Sequence, residues 1–390
     1  MIEFIPMSNV DDIAGKIKEY NFVPLKEVSS GYTKFKNRDV IFAKITPCME
    51  NGNCAIVSGL TQDICFGSTE FMVFRVYRKL TEKYLHYFLH NDFFRRNAEP
   101  FMRGTAGQKR ISSHFMATHF FGLPPLEEQS AITNYLDTQT AQIDQKIDLL
   151  SQKAIQYGKL KQSLINETVT RGLDKSVPMK DSGVDWIGEV PVDWKLRRLK
   201  DIGKSIIGII YSPDDVLNND NGVLVLRSSN IQGGKISLLD TVYVNKEISK
   251  NQTLKLGDIL ICSRNGSRHL IGKNICIDER TLDQTFGAFM TVYRSKYFRF
   301  ISKFLNSNVF ESQSSLFGSS TVNQLTINTL NIFLVALPPV SEQQAIATYL
   351  DEKTTHIDCI IATINTQIDK LKELRKALIN DVVTGKIKVV

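Results

Sequence analysis

Two stretches of the chain carry the same apolar pattern. In the first, apolar residues fall at Ile132, Leu136, Ile143, Ile147, Leu150, Ala154, Tyr157, Leu160 and Leu164; in the second, at Ile346, Leu350, Ile357, Ile361, Ile364, Ile368, Leu371, Leu374 and Leu378. Steps of mainly three, four and seven place one apolar stripe along a helix, close to a heptad seam. Pro124-Pro125 and Pro338-Pro339 block helix just upstream, while Glu127, Glu128 and Glu342 suit the positive end of a helix dipole. Each helix is expected to run about 43 residues, roughly 65 Å at 1.5 Å per residue. A stripe that long needs a partner, and the nearest candidate is the other helix; two separate core helices of ordinary domains would be shorter.

The two helices belong to an internal repeat. LPPLEEQSAITNYLDTQTAQIDQKIDLL from Leu123 recurs as LPPVSEQQAIATYLDEKTTHIDCIIATI from Leu337, an offset of 214 residues, with about 20 of 48 positions identical between Leu123 and Thr170. Gly104-Thr105-Ala106 matches Gly318-Ser319-Ser320 and Ile111-Ser112 matches Leu325-Thr326 at the same offset. Upstream, with small insertions, FGSTEFMVFR (Phe66 to Arg75) resembles FGAFMTVYR (Phe286 to Arg294), RDVIFAKI (Arg38 to Ile45) resembles GDILICSR (Gly257 to Arg264), and FIPMSNV resembles LRSSNI around Asn9 and Asn230. Alternating β-branched and aromatic residues broken by Gly, Asn and Asp read as short strands. The expected fold class is therefore α/β, more strictly α+β. A globule over 1–122, a long helix over 123–172, a linker and second globule over 173–336, and a second long helix over 337–390 follow in order, with linker composition in Arg171 to Asp185.

Composition adds little to this. The chain has 390 residues, 42% of them hydrophobic, and a net charge of +7, which mildly favours a polyanionic partner. Cys48, Cys54, Cys65, Cys262, Cys276 and Cys359 are scattered without a C-x-x-C pair, which fits neither a zinc knuckle nor a disulfide framework and points to a reduced, cytoplasmic chain. The start, MIEFIPMSNV, has no signal-peptide pattern, and no apolar run reaches the length of a membrane span.

LPPLEEQ and LPPVSEQQ at the helix starts, D-x-x-x-x-x-I-D inside them (Asp137 to Asp144, Asp351 to Asp358), and LINETVTRGL and LINDVVTGKI at their ends together resemble the conserved regions of type I restriction-modification specificity subunits. DSGVDWIGEVPVDWKLRRLKDI (Asp181 to Ile202) is similar to the segment that opens a target recognition domain in that family. The resemblance spans essentially the whole chain. It implies a non-catalytic, DNA-binding subunit in which two target recognition domains each read half of a bipartite site in double-stranded DNA. The helices would pair as an antiparallel coiled coil, set the spacer and dock two methyltransferase subunits, with restriction/translocase subunits joining the complex. Cofactors are expected only on the partners: S-adenosylmethionine, ATP and Mg.

Within that frame the candidate DNA-binding residues of the first domain are Arg103, Gln108, Lys109 and Arg110 in the turn RGTAGQKRIS, where Gly104 and Gly107 allow close backbone approach, with Lys44 and Asn51 after the strand at Val40. Those of the second are Arg264, Asn265, Ser267 and Arg268 in SRNGSRH, Arg227, Ser228 and Asn230 after a strand-like run, and Asn323 and Gln324 at the repeat positions of Lys109 and Arg110. Arginine and lysine suit guanine O6 and N7, glutamine and asparagine suit an adenine edge, and any of them could instead hold phosphate or face solvent. Lys195, Arg197, Arg198, Lys200 and Lys204 read as a phosphate-facing or solvated edge.

Other chemistry lacks its signature. The chain contains neither G-x-x-x-x-G-K-[ST] nor an N/D-P-P-Y/F methyltransferase site. His86 and His90 have i,i+4 spacing in YLHYFLH but no H-E-x-x-H, so they read as part of an amphipathic helix, and Pro213-Asp214-Asp215 lacks an E-x-K partner for a nuclease site. Twice the repeat offset exceeds the chain by 38 residues, and matching Asn9 to Asn230 sets Met1 opposite Gly222. The expectation is a first domain truncated at its N-terminus, with a partly inactive subunit serving mainly as an oligomerisation scaffold as the alternative.

Overall fold

A computed structural model of the chain describes residues 1–105, 107–316 and 324–389. The repeat positions Ala106 and Gly318 to Ser320, and the candidate Asn323, lie outside the described residues. Two compact units divide the chain: one takes 1–154 together with everything from Ala362 onward, the other takes 155–361.

The first unit has a four-stranded sheet in the order β2 (Asn21–Val23), β1 (Ile2–Ile5), β6 (Cys65–Gly67), β3 (Thr33–Phe35), in which β1 and β6 run parallel. A three-stranded antiparallel sheet follows in the order β5 (Cys54–Ile56), β4 (Val40–Ala43), β7 (Phe71–Phe74). The run VIFA of β4 is apolar at both parities because both of its faces are covered. Val40 and Phe42 pack with Leu85, Leu89 and Phe94, whereas Ile41 packs with Ile5, Phe35 and Phe71 across the other face. Loss of a ring such as Phe42 from this core costs about 3–5 kcal/mol.

The second unit repeats the plan. Strand Val223–Leu226 pairs parallel with Thr285–Phe286, and Ile259–Cys262 pairs with Asn274–Cys276 and Met290–Arg294. Ile259 and Ile261 face one core, Leu260 and Cys262 the other. The register matches as well: Val40 lies opposite Phe74 as Ile259 lies opposite Tyr293. A buried carboxylate closes the turn before the central strand in each unit. Asp39 accepts from the Lys36 N–H at 2.8 Å and from the Arg75 guanidinium at 2.7 and 2.7 Å; Asp258 accepts from the Lys255 N–H at 2.9 Å and from Arg294 at 2.7 and 2.7 Å.

The central helix spans Leu126–Arg171 and the distal helix Val340–Val383, 46 and 44 residues. Each unit contains the first part of one and the last part of the other. In the first unit Ile132 and Leu136 pack with Ile379, Val382 and Val383, and Asp144 meets Arg375 at 2.9 Å; ascending numbers on one helix meet descending numbers on the other, so the pair is antiparallel. In the second unit Ile165 and Val169 share a core with Ile346 and Leu350, and Lys161 meets Asp358 at 2.7 Å. Asp358 and Arg375 stand at the 214-residue offset from Asp144 and Lys161, so both units use the same pair of positions.

The seam departs from expectation toward the helix ends. Leu160 and Leu374 are 53% and 54% exposed, while Ile165, Val169, Ile379 and Val382 are buried. A strict 3.5-residue reading drifts around a 3.6-residue helix, and each globule adds its own apolar surface to the end it covers. LPP and the following glutamine are explained locally: Gln129 is fully buried, its Nε2 donates to the Pro124 and Lys79 carbonyls, and its Oε1 accepts from the Thr81 N–H. Gln343 donates to the Pro338 carbonyl in the same way. The aspartates divide their work. Asp137 ties its helix to the globule through Lys83 and Tyr87 at 2.6 and 2.7 Å, and Asp351 does so through Arg299 and Lys303, whereas Asp144 and Asp358 join helix to helix.

Candidate nucleic-acid interface

In both units the central strand runs on into a loop that meets the segment leading to the long helix. In the first unit Ile45 bridges to Arg110 and the Ile111 N–H donates to the Lys44 carbonyl; in the second Arg264 bridges to Gln324 and the Leu325 N–H donates to the Ser263 carbonyl. The framework is the same and the side chains it presents differ.

The first unit's turn is a hairpin closed by Arg103 and Arg110, whose backbones exchange bonds of 3.0 and 2.8 Å. Gly104, at φ 136, passes so close to the returning strand that a Cβ would lie 2.6 Å from the Gln108 carbonyl oxygen, and Gly107, at φ 78, is left-handed. Lys109 is fixed to Thr46 through both its N–H and its carbonyl. Arg103, Gln108, Lys109 and Arg110 are exposed and Lys44 is half-buried. Glu70 stands among them. The Arg110 guanidinium forks onto its carboxylate at 2.7 to 3.1 Å, and this bond, with Lys44 nearby, holds the Glu70 carboxyl below its usual range. Asn51 is exposed at the end of a separate short helix, Cys48–Asn51.

The second unit assembles its candidates by a chain of contacts. Asn265 Nδ2 donates to Ser228 Oγ at 3.1 Å while its Oδ1 accepts from the Ser267 N–H at 3.0 Å, an Asx turn. Arg268 and Gln324 line one polar cleft of about 330 Å³ with His269, Asn306 and Glu311. Arg227 is engaged by Asp240 at 2.7 Å. Asn230 is buried and serves as a strut: its Oδ1 accepts from the Arg227 N–H and its Nδ2 donates to the Ser237 and Asp240 carbonyls. Arg264 is exposed, its guanidinium carbon 5.2 Å from the centre of the exposed Phe289 ring.

Glu70 and Phe289 occupy equivalent positions, one residue before Phe71 and Met290, and their carbonyls accept from the equivalent Lys44 and Ser263 N–H groups at 2.9 and 3.0 Å. A carboxylate thus neutralises the loop arginine in one unit, while an aromatic face leaves its charge available in the other. The sequence reading missed both residues; aligning FGSTEFMVFR with FGAFMTVYR from its arginine end brings them into register. Lys195, Arg197, Lys200 and Lys204 are exposed, and Arg198 is engaged by Asp201 at 2.9 Å.

Elsewhere the structure offers other chemistry little. His86 and His90 are buried side by side in the helix Glu82–His90, their rings stacked at 5.8 Å, and no group of three or more potential metal ligands occurs among the described residues. No helix among them is long and apolar enough to cross a membrane.

Comparison with known proteins agrees with this reading. The family model for the type I restriction modification DNA specificity domain matches residues 3–153 and 191–372, one match falling in each repeat. The chain is 34% identical over 186 residues to the EcoAI specificity subunit of Escherichia coli, covering 47% of this chain and 31% of that protein. It is 30% identical over 281 residues to the MjaVIII specificity subunit of Methanocaldococcus jannaschii, covering 68% and 62%. The chain thus spans less than two thirds of the curated relatives it matches. Its fold is shared with a chain solved in work on assembly and conformational transition of the type I R-M system, at TM-score 0.80 and 21% identity over 99% of this chain and 92% of that one. An HsdS subunit from Thermoanaerobacter tengcongensis gives TM-score 0.56 at 20% identity, over 99% and 91%. With two family matches that together cover most of the chain and a fold repeated around one loop framework, this protein belongs to the type I restriction-modification DNA specificity family.

Proposed function

We propose that the chain is the non-catalytic specificity subunit of a cytoplasmic type I restriction-modification complex, each unit reading one half of a bipartite site in double-stranded DNA. The observation that carries this is the shared loop framework with unshared side chains. Ile45 with Arg110 and Arg264 with Gln324 sit at the same positions, as a reader of two different half-sites requires. In the first unit Arg103, Gln108 and Lys109 are the groups available to bases or phosphates; in the second they are Arg264, Arg268, Ser267 and Gln324. Asn230 and Asn265 shape the second surface from behind it. The long helices set the spacer and dock two methyltransferase subunits, which carry S-adenosylmethionine; restriction/translocase subunits bring ATP and Mg.

The test is to assemble the chain with its methyltransferase subunits and map methylated adenines on a genomic DNA library. A two-part motif whose halves respond separately to substitutions in the two loops is the expected result. Methylation without sequence preference, or retention of all duplexes equally at matched salt, would support a scaffold role instead.

A further inference from the structure

Although the two units share their plan, one face is closed in the second and open in the first. In the second unit strand Lys204–Ile207 pairs with the outer edge of Met290–Arg294, and strand Lys195–Arg198 pairs with Leu334–Leu337. Between them a single helical turn, Leu199–Ile202, lowers Leu199 into the core, its N–H bonded to the Phe333 carbonyl and its own carbonyl to the Tyr293 hydroxyl at 2.8 Å. Leu196 and Ile202 pack against the same core.

In the first unit, β7 is the counterpart of Met290–Arg294, and no strand among the described residues pairs with its outer edge. Residues 120–123, the counterpart of Leu334–Leu337, form no strand. Phe120 is 95% exposed where its counterpart Leu334 is half-buried. Tyr293, Leu330, Phe333 and Val335 are all buried, yet their counterparts Phe74, Met116, His119 and Phe121 are only half-buried. Together with Leu80 and Phe88, these residues line an apolar groove of about 420 Å³. The open outer edge of β7 flanks this groove, which is the arrangement that strand addition uses.

We propose that this face of the first unit docks a polypeptide segment of the kind found at Trp194–Ile207: a strand, one helical turn presenting an apolar residue, and a second strand. The equivalent face of the second unit is covered by just such a segment, and Tyr293, Leu330, Phe333 and Val335 there are more buried than their first-unit counterparts. A charged or helical partner would leave the outer edge of β7 unsatisfied.

The experiment mixes the full chain with a synthetic peptide of the sequence Pro191–Ile209 and follows amide hydrogen exchange. At ten times its Kd the peptide should slow exchange at 71–75 and 120–123 about tenfold, leaving 290–294 and 334–337 unchanged. A peptide carrying Leu199→Asp should lose the effect, which keeps the test independent of whether a groove variant of the protein folds; Phe121→Asp in the protein should lose it too. No saturable binding up to about 1 mM, the weak end of specific association, would overturn the proposal. So would protection confined to the second unit, or protection of 71–75 and 120–123 by the chain's own dimerisation without peptide.

Discussion

The two buried carboxylates offer a matched perturbation inside one molecule. Asp258→Ala removes an acceptor that is 1% exposed and holds three bonds. Arg294, 25% exposed, then keeps only its 2.9 Å bond to the Thr253 carbonyl, and the Lys255 N–H loses its partner. Truncating one member of a buried pair costs about 3–5 kcal/mol, and the part-exposure of Arg294 brings the expected loss to about 3 kcal/mol. Asp39→Ala removes the same three bonds from an equally buried carboxylate, but Arg75 is 57% exposed and can rotate into water. What remains is mainly the Lys36 N–H, worth about 1 kcal/mol. The difference of about 2 kcal/mol is about 30-fold in an equilibrium constant. Native-state hydrogen exchange reads it directly, comparing amides 40–43 in Asp39→Ala with 259–262 in Asp258→Ala, each against the parent chain. Equal losses, or a greater loss in the first unit, would refute the reasoning that exposure of the cation sets the cost.

Further outcomes are expected. Arg264→Ala should relax preference at one half-site by about 10- to 100-fold, and Arg110→Ala should change its half-site less because Glu70 already engages that guanidinium; methylation-site mapping of each assembled variant checks both. Burial pushes the His86 and His90 imidazoles down to about 4 and about 3, so both are neutral in the folded chain while the unfolded chain titrates near 6.5. Their contribution to stability is complete above about pH 6.5 and falls by about 1.4 kcal/mol per pH unit per histidine as pH drops toward the folded values. In denaturant titrations between pH 7 and 4.5, His86→Gln should therefore flatten the slope for the first unit. Arg375 is 4% exposed, so Asp144→Ala should destabilise by about 3 kcal/mol, and a double-mutant cycle should give the Asp144–Arg375 pair a larger coupling than the more exposed Asp358–Lys161 pair.

The long helices were legible from local periodicity, the repeat from self-similarity at one offset, and the core strands VIFA and ILIC as short apolar runs recurring in that repeat. The ends of the helix seam were not, since Ile165 and Ile379 are buried partly by globules whose approach no heptad encodes. D-x-x-x-x-x-I-D was visible as a motif while its meaning was hidden. Spacing cannot tell that Asp137 reaches Lys83 and Tyr87 whereas Asp144, two turns on, reaches Arg375 from the far end of the chain. In the candidate interface the loops were found by their glycines and cations. The residues that decide how much charge each loop presents, Glu70 and Phe289, come from a neighbouring strand and were invisible without the pairing register.

Because the first unit combines 1–154 with the residues from Ala362 onward, its assembly has an order imposed by synthesis. Its globule leaves the ribosome first, yet Ile379, Val382 and Arg375, which cover Ile132, Leu136 and Asp144, are translated last. The second unit draws on one continuous stretch, 155–361, and can close earlier. For the time needed to make some two hundred residues, on the order of 10–40 s at about 5–20 residues per second, this part of the protein waits with its helix face uncovered. A released chain truncated after residue 361 should accordingly be cut by protease within 126–154 and resist within 165–171.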